Sequence, residues 1–280
     1  MPLLFDRVTI VGVGLIGGSL GLAMREKGLA GRIVGVGHRQ ASIDLALKMG
    51  AIDEGSLDPV AGVKGADLVV LATGIGLIME MGRQVVPALK RGAVVTDVGS
   101  TKTDIVRALE PVMSAGVHFV GAHPIAGSEK RGVDAATAGL FRGATTVVTP
   151  TKRTDPDAAR KVAELWSAVG AHVVTLSPEE HDAILARTSH LPHVAAAALV
   201  ATLRPPDAGF AGTGFRDATR IASGDVNIWC DIILTNREAI LSALWAFSDE
   251  LAAFRRAVES NDRVKLAELL SAAKQRRDSL

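Results

Sequence analysis

The chain of 280 residues has no tyrosine, is only 4% aromatic and carries a single cysteine, Cys230. One thiol excludes an intrachain disulfide framework and a cysteine-built metal cage, and it points to a reducing, cytoplasmic setting as the default. The missing tyrosine excludes nothing, because an Ala-, Val- and Gly-rich composition accounts for it. Charge of one sign is lacking too: Lys and Arg number 31, Asp and Glu 30, for a net charge of +1. That balance leaves no electrostatic footprint for nucleic acid or a charged membrane surface. Long apolar runs are also missing. The longest, Val194 to Leu203, is about half of a bilayer span, so no membrane-crossing helix is expected. The N-terminus enters a strand pattern at Val8 without the basic and apolar regions of a secretory signal.

What is present is 48% hydrophobic, enough for a globular protein, over a length that suits two domains. Short β-branched runs recur through the first 175 residues: Val8–Val13, Ile33–Val36, Leu68–Ala72, Val94–Val98, Phe119–Gly121, Thr146–Thr149 and His172–Leu176. Strands apolar on consecutive positions are buried on both faces, as in a parallel sheet between helices. Stretches of helical length separate them, including Ile16–Lys27, Ser42–Met49, Lys102–Met113 and Pro156–Val169. The alternation predicts a doubly wound, mostly parallel α/β domain over residues 1–175.

From residue 176 to 280 the pattern turns helical. Ser177-Pro178-Glu179-Glu180 reads as a helix start with an N-cap, a proline in the first turn and a Glu at the third position. A long Ala/Leu-rich stretch follows to Leu203, with a kink expected at Pro192. Asn236–Glu259 and Arg263–Arg277 also show helical periodicity. So many apolar positions in about a hundred helical residues favour burial against a second copy, hence a homodimer through this domain.

Gly12-Val13-Gly14-Leu15-Ile16-Gly17 carries the G-x-G-x-x-G spacing directly after an apolar strand and at the start of a helix. Gly12 permits the tight turn, Gly14 lets backbone approach a pyrophosphate, and Gly17 lets helix and strand pack closely. The helix start then offers N–H groups to the anion from Leu15 and Ile16 onward. This is the fingerprint of a Rossmann-type dinucleotide site. Thr73, after a later strand, is placed at the same edge. An acid about twenty residues on would hold the ribose of NAD. Here that region reads Gly37-His38-Arg39-Gln40. Donors and positive charge suit a 2′-phosphate, so NADP is favoured over NAD.

Three further clusters are polar at strand ends or in the helical region: DVGSTK at 97–102, GAHPIAGSEKRGV at 121–133, and SHLPH at 189–193 with GFRDATRIA at 214–222. Together they resemble the prephenate/arogenate (cyclohexadienyl) dehydrogenase family of tyrosine biosynthesis. Trp229, Asp231, Ile232 and Asn236 resemble its helical-domain segment. The resemblance runs along essentially the whole chain and implies the minimal, monofunctional form.

It implies an oxidoreductase for oxidative decarboxylation: a cyclohexadienol loses a hydride from C4 to the nicotinamide and its ring carboxylate as CO2. By motif, His123 resembles the base that accepts the C4 hydroxyl proton, and Ser100 a serine that hydrogen-bonds the same hydroxyl or the nicotinamide region. Arg220 resembles the arginine that clamps the substrate carboxylate, a match of fork to carboxylate. Asp217, three residues earlier, is placed to orient Arg220 if the segment is helical. His193 resembles a second histidine lining the substrate pocket. The missing acid after the second strand leans the substrate toward arogenate.

Other readings compete at single residues. His190 and His193 are three apart on one helix, but no partner stands at metal-ligand spacing, so no metal is expected. Lys102 suits capping or phosphate contact better than catalysis. Lys130 and Arg131 read as solvated. A β-hydroxyacid or imine-type NAD(P) dehydrogenase is the alternative enzyme, although that class usually relies on a lysine. A non-catalytic dinucleotide sensor would be expected to have lost His123 or Arg220.

Overall fold

The computed structural model describes residues 3–127 and 132–280. Lys130 and Arg131, with Ser128 and Glu129 of the His123 segment, lie outside the described residues. Strands β1 (Phe5–Val11), β2 (Ala30–Val36), β3 (Glu54–Ser56), β4 (Leu68–Leu71), β5 (Val94–Asp97), β6 (His118–Pro124), β7 (Thr145–Thr149) and β8 (His172–Thr175) form one sheet. Their order is 3-2-1-4-5-6-7-8. All adjacent pairs are parallel except β6 with β7. Helices α1 (Leu15–Lys27), α2 (Gln40–Lys48), α3 (Pro59–Gly62), α4 (Ile75–Val85), α5 (Thr103–Leu109) and α6 (Pro156–Ala168) accompany it. The helical region comprises α7 (Pro178–Leu185), α8 (Leu191–Ala201), α9 (Thr213–Thr219), α10 (Val226–Thr235), α11 (Arg237–Glu259) and α12 (Arg263–Asp278). This is a Rossmann-type α/β fold followed by helices.

The apolar runs form strands because both faces of the sheet are covered. Along β1, Val8 and Ile10 enter one core with Leu20, Met24 and Trp166. Val11 enters the other, with Val69, Leu71, Ile78 and Phe119. Successive side chains of a strand point to opposite faces, so an unbroken apolar run feeds both cores. Ile232 of α10 joins the second core and seats the helical region on the sheet domain.

Three local features differ from the sequence expectation. β6 does not stop at Gly121; it runs to Pro124, so His123 is a strand residue rather than two residues beyond one. The cause is a change of neighbour. Residues 118–120 pair with β5, and residues 121–124 pair antiparallel with β7. The helix expected from Asn236 starts at Arg237, and Asn236 instead separates α10 from α11. At Pro192 the structure forms a π turn over Ala186–His190 rather than a simple kink, and Leu191 N–H reaches Ala186 O. Wider turns absorb the hydrogen bond that a proline cannot donate. The helix start at Ser177 forms as the sequence implies, with Ser177 and Glu180 bonding each other's backbone N–H.

Candidate active site

The crevice lies at the carboxyl ends of β1 and β4, where the order of strands reverses, the usual place for ligands in open α/β sheets. Gly12 N–H donates to Val36 O at 2.9 Å and has φ of +106°. A Cβ there would lie 2.5 Å from Ala72 O and 3.0 Å from Thr73 N, so the glycine turn fits under the β4–α4 loop. A Cβ on Gly17 would meet Gly12 O at 2.1 Å, which fixes the close packing of α1 on β1. At Gly14 a Cβ would meet nothing within 4 Å: this face is open to a ligand. No side chain caps α1, which leaves its first N–H groups for an anion. These residues fit a dinucleotide pyrophosphate. His38 and Arg39 are exposed in the bend after β2, Arg39 as the N-cap of α2. Gln40 is engaged with Asp44 at 2.8 Å.

Two strands along, the ends of β5 and β6 carry a buried polar chain. His123 Nδ1 is 2.8 Å from His181 Nε2, and His181 Nδ1 is 2.8 Å from Asp182 Oδ1. The Asp182 carboxylate also accepts the backbone N–H groups of Lys102 and Thr103, each at 2.8 Å. Asn236 Nδ2 donates to Asp182 O at 2.8 Å and lies 3.0 Å from His190 Nδ1. His190 meets the edge of Trp229, and His193 stacks flat on the same indole at 3.5 Å. The chain of contacts thus joins His123 of the sheet to His193 of the helices. His193 Nδ1 is buried without a hydrogen-bond partner among the described residues.

Residues 20–175 match the family described as prephenate dehydrogenase, nucleotide-binding domain, and residues 177–272 match prephenate dehydrogenase, dimerization domain. The chain belongs to the prephenate dehydrogenase family. A prephenate dehydrogenase from Bacillus subtilis is 38% identical over 98% of this chain and 76% of its own. The solved prephenate dehydrogenase from Aquifex aeolicus, in complex with hydroxyphenyl propionate and NAD+, has a TM-score of 0.92 at 36% identity, covering 98% of each chain. The arogenate dehydrogenase of Synechocystis has a TM-score of 0.85 at 30% identity, covering 98% of this chain and 99% of its own. The chain is therefore an oxidoreductase with a nucleotide-binding domain. Among the described residues no helix is long and apolar enough to cross a membrane, and no cluster of metal-ligating side chains occurs.

Within this family member, burial sets the ionisation of the histidines. His123 is held well below the ordinary imidazole range, first by burial and then by the positive fields of His181, Lys102 and His190. His181 is also lowered by burial, against the pull of Asp182. Burial pushes His190 down to about 4, and lowers His193 as well. Burial alone would raise Asp182, but hydrogen bonds from His181 and from Lys102 and Thr103 hold it below the carboxylate range. At neutral pH the site is thus a set of neutral imidazoles around one carboxylate.

Lys102 corrects its sequence reading. Its side chain neither caps α5 nor reaches toward the phosphate crevice. It is wholly buried, paired with Asp97, and donates to Ala122 O at 2.9 Å. Asp97 accepts from Gly99 N–H at 2.8 Å and Ala122 N–H at 3.2 Å. This pair fastens the end of β5 to the residue before His123.

Ser100 is half-buried in the loop after β5, and no hydrogen bond joins it to His123 among the described residues. Arg220 follows α9, on a short turn that packs on α8 and leads to Gly224. A Cβ at Gly224 would meet Trp229 Nε1 at 2.4 Å and His193 Cε1 at 2.9 Å, so that turn lies against the stacked pair. Asp217 and Arg220 are both exposed, and no hydrogen bond or ion pair joins them among the described residues. Sequence reasoning did not single out His181 and Asp182. The available signal was a His-Asp pair one residue past a capping-box Glu, at the first turn of the helical region.

Proposed function

We propose that the protein catalyses the NAD(P)-dependent oxidative decarboxylation of prephenate, arogenate or both, as a homodimer in the cytoplasm. The observation that carries this is a buried, neutral His123 at the carboxyl edge of the sheet that also bears the glycine crevice. A nicotinamide dinucleotide, when bound, supplies the acceptor for the hydride of ring C4. His123 accepts the proton of the C4 hydroxyl as that hydride leaves, and Ser100 hydrogen-bonds the same region. Loss of the ring carboxylate as CO2 sends its bonding electrons into the ring, and His123 returns the proton to the phenolate oxygen. Arg220 clamps a substrate carboxylate, with Asp217 on the same short helical segment. His193, with its unpartnered Nδ1, lines the pocket from the helical side.

NADP preference is supported by the exposed His38 and Arg39 and by the lack of an acid at the end of β2. The dimer is supported by apolar side chains that the single chain leaves uncovered. Phe247, Leu251 and Val258 recur at spacings of four and seven on one face of α11, and Leu251 and Val258 are 53% and 65% exposed. The match to a dimerization domain covers this region.

The test is a steady-state assay of both substrates against both cofactors. Nicotinamide reduction with at least one cyclohexadienyl acid is expected, faster with NADP. No reduction with either acid would overturn the assignment. Sedimentation of Leu251→Asp is expected to show a monomer, while the parent chain sediments as a dimer.

A further inference from the structure

The buried Asp182 carboxylate sets the direction of every hydrogen bond above it. As an anion it only accepts. Two backbone N–H groups already point at it, so His181 Nδ1 must carry a proton to approach within 2.8 Å. A neutral imidazole has one N–H, so His181 Nε2 is then a bare lone pair. That lone pair faces His123 Nδ1 at 2.8 Å, so His123 must donate from Nδ1, and its Nε2 is left bare. We infer that His181 and Asp182 are positioning residues that lock His123 in the Nδ1–H tautomer and leave Nε2 as the proton acceptor toward substrate.

The surrounding charges agree with this direction. Asp97 is occupied by Lys102 and two backbone N–H groups and does not compete for His123. His190 is met by the Asn236 amide, whose two N–H bonds serve Asp182 O and His190 Nδ1. Burial keeps His123 and His181 neutral, so each ring carries a single N–H. A carboxylate bonded directly to a base histidine fixes its tautomer and is a known source of rate, because the wrong tautomer has no lone pair where the proton is released. Here a second imidazole extends the reach of the carboxylate from the first helix of the helical region to a strand of the sheet.

The role in proton acceptance rests on the proposed function, but the tautomer is readable without any substrate. Histidine-nitrogen NMR of labelled, substrate-free protein at mildly alkaline pH is expected to show His123 protonated at Nδ1 and bare at Nε2. A wild-type His123 protonated at Nε2 overturns the inference outright. In His181→Leu the His123 signal is expected to move to the Nε2–H form, with kcat down about 100-fold and KM within about threefold. His181→Gln offers an amide oxygen to His123 and an N–H to Asp182, so it is expected to keep the tautomer and hold kcat within about tenfold. An unchanged tautomer and unchanged kcat in His181→Leu would also overturn it. If neither cyclohexadienyl acid is oxidised, the substrate reading fails while the spectrum still decides the tautomer.

Discussion

The sheet domain and the helical region complete their hydrophobic burial in different ways. The sheet is lined on both faces by large buried clusters that include Trp166, Phe141, Ile78 and Leu109. The separate helical cluster has only Ala186, Ile240 and Ala243 fully inside, while Trp245 and Leu234 stand 71% and 67% exposed. The first region buries its large apolar side chains within its own chain; the second leans on the sheet through Ile232 and leaves apolar faces exposed. The proposed function divides along the same line: the sheet side bears the glycine crevice and His123, and the helical side bears His181, Asp182 and Arg220.

The sharpest break of this division is at the base. His123→Asn is expected to lower kcat by about 100- to 10,000-fold with little change in KM, measured by steady-state nicotinamide reduction. A change confined to KM would move the base elsewhere. The next effect is read at His190 on the helical side. His190 is buried neutral with a value near 4, while its unfolded counterpart takes up a proton near the ordinary 6.5. Stability is therefore full above pH 6.5 and falls as pH drops toward 4, by about 3 kcal/mol from this residue. Urea unfolding across that range should show the loss, to which the buried His123, His181 and His193 add in the same direction, and His190→Gln should make the fall shallower by the His190 share. Arg220→Ala is expected to raise KM about tenfold or more, with a smaller change in kcat. If kcat fell and KM did not, the clamp would not be at Arg220. Smallest of all, Ile10→Val in the sheet core should cost about 1 kcal/mol, and the same amount at every protein concentration. A concentration-dependent cost at that site would mean that the sheet too depends on the second copy.

The sheet was legible because its strands are buried on both faces, so Leu68–Leu71 and Val94–Val95 stand out without tertiary knowledge. The glycines were legible because two of them would clash with backbone if they carried a Cβ. β3 was not, since Glu54-Gly55-Ser56 is short and only half-buried, with no apolar run to mark it. The end of β6 was hidden for another reason: residues 121–124 depend on β7, more than twenty residues downstream, and include a polar side chain. At the site, His123 carried a local motif, whereas His181 and Asp182 resemble ordinary polar residues of a helix start. Only the packing of α7 against the β5–α5 loop turns them into partners of His123. Lys102 misled for the same reason, because nothing local announces that Asp97 will bury it.

The anchoring of Asp182 also bears on how a reactant can enter. Its carboxylate is held by the His181 ring from the helices and by two backbone amides where the sheet domain begins α5. Swinging the halves apart at this seam would strand a carboxylate with its amide donors gone, at a cost of several kcal/mol. The two halves are riveted beside His123, so any opening that leaves this seam intact must hinge elsewhere.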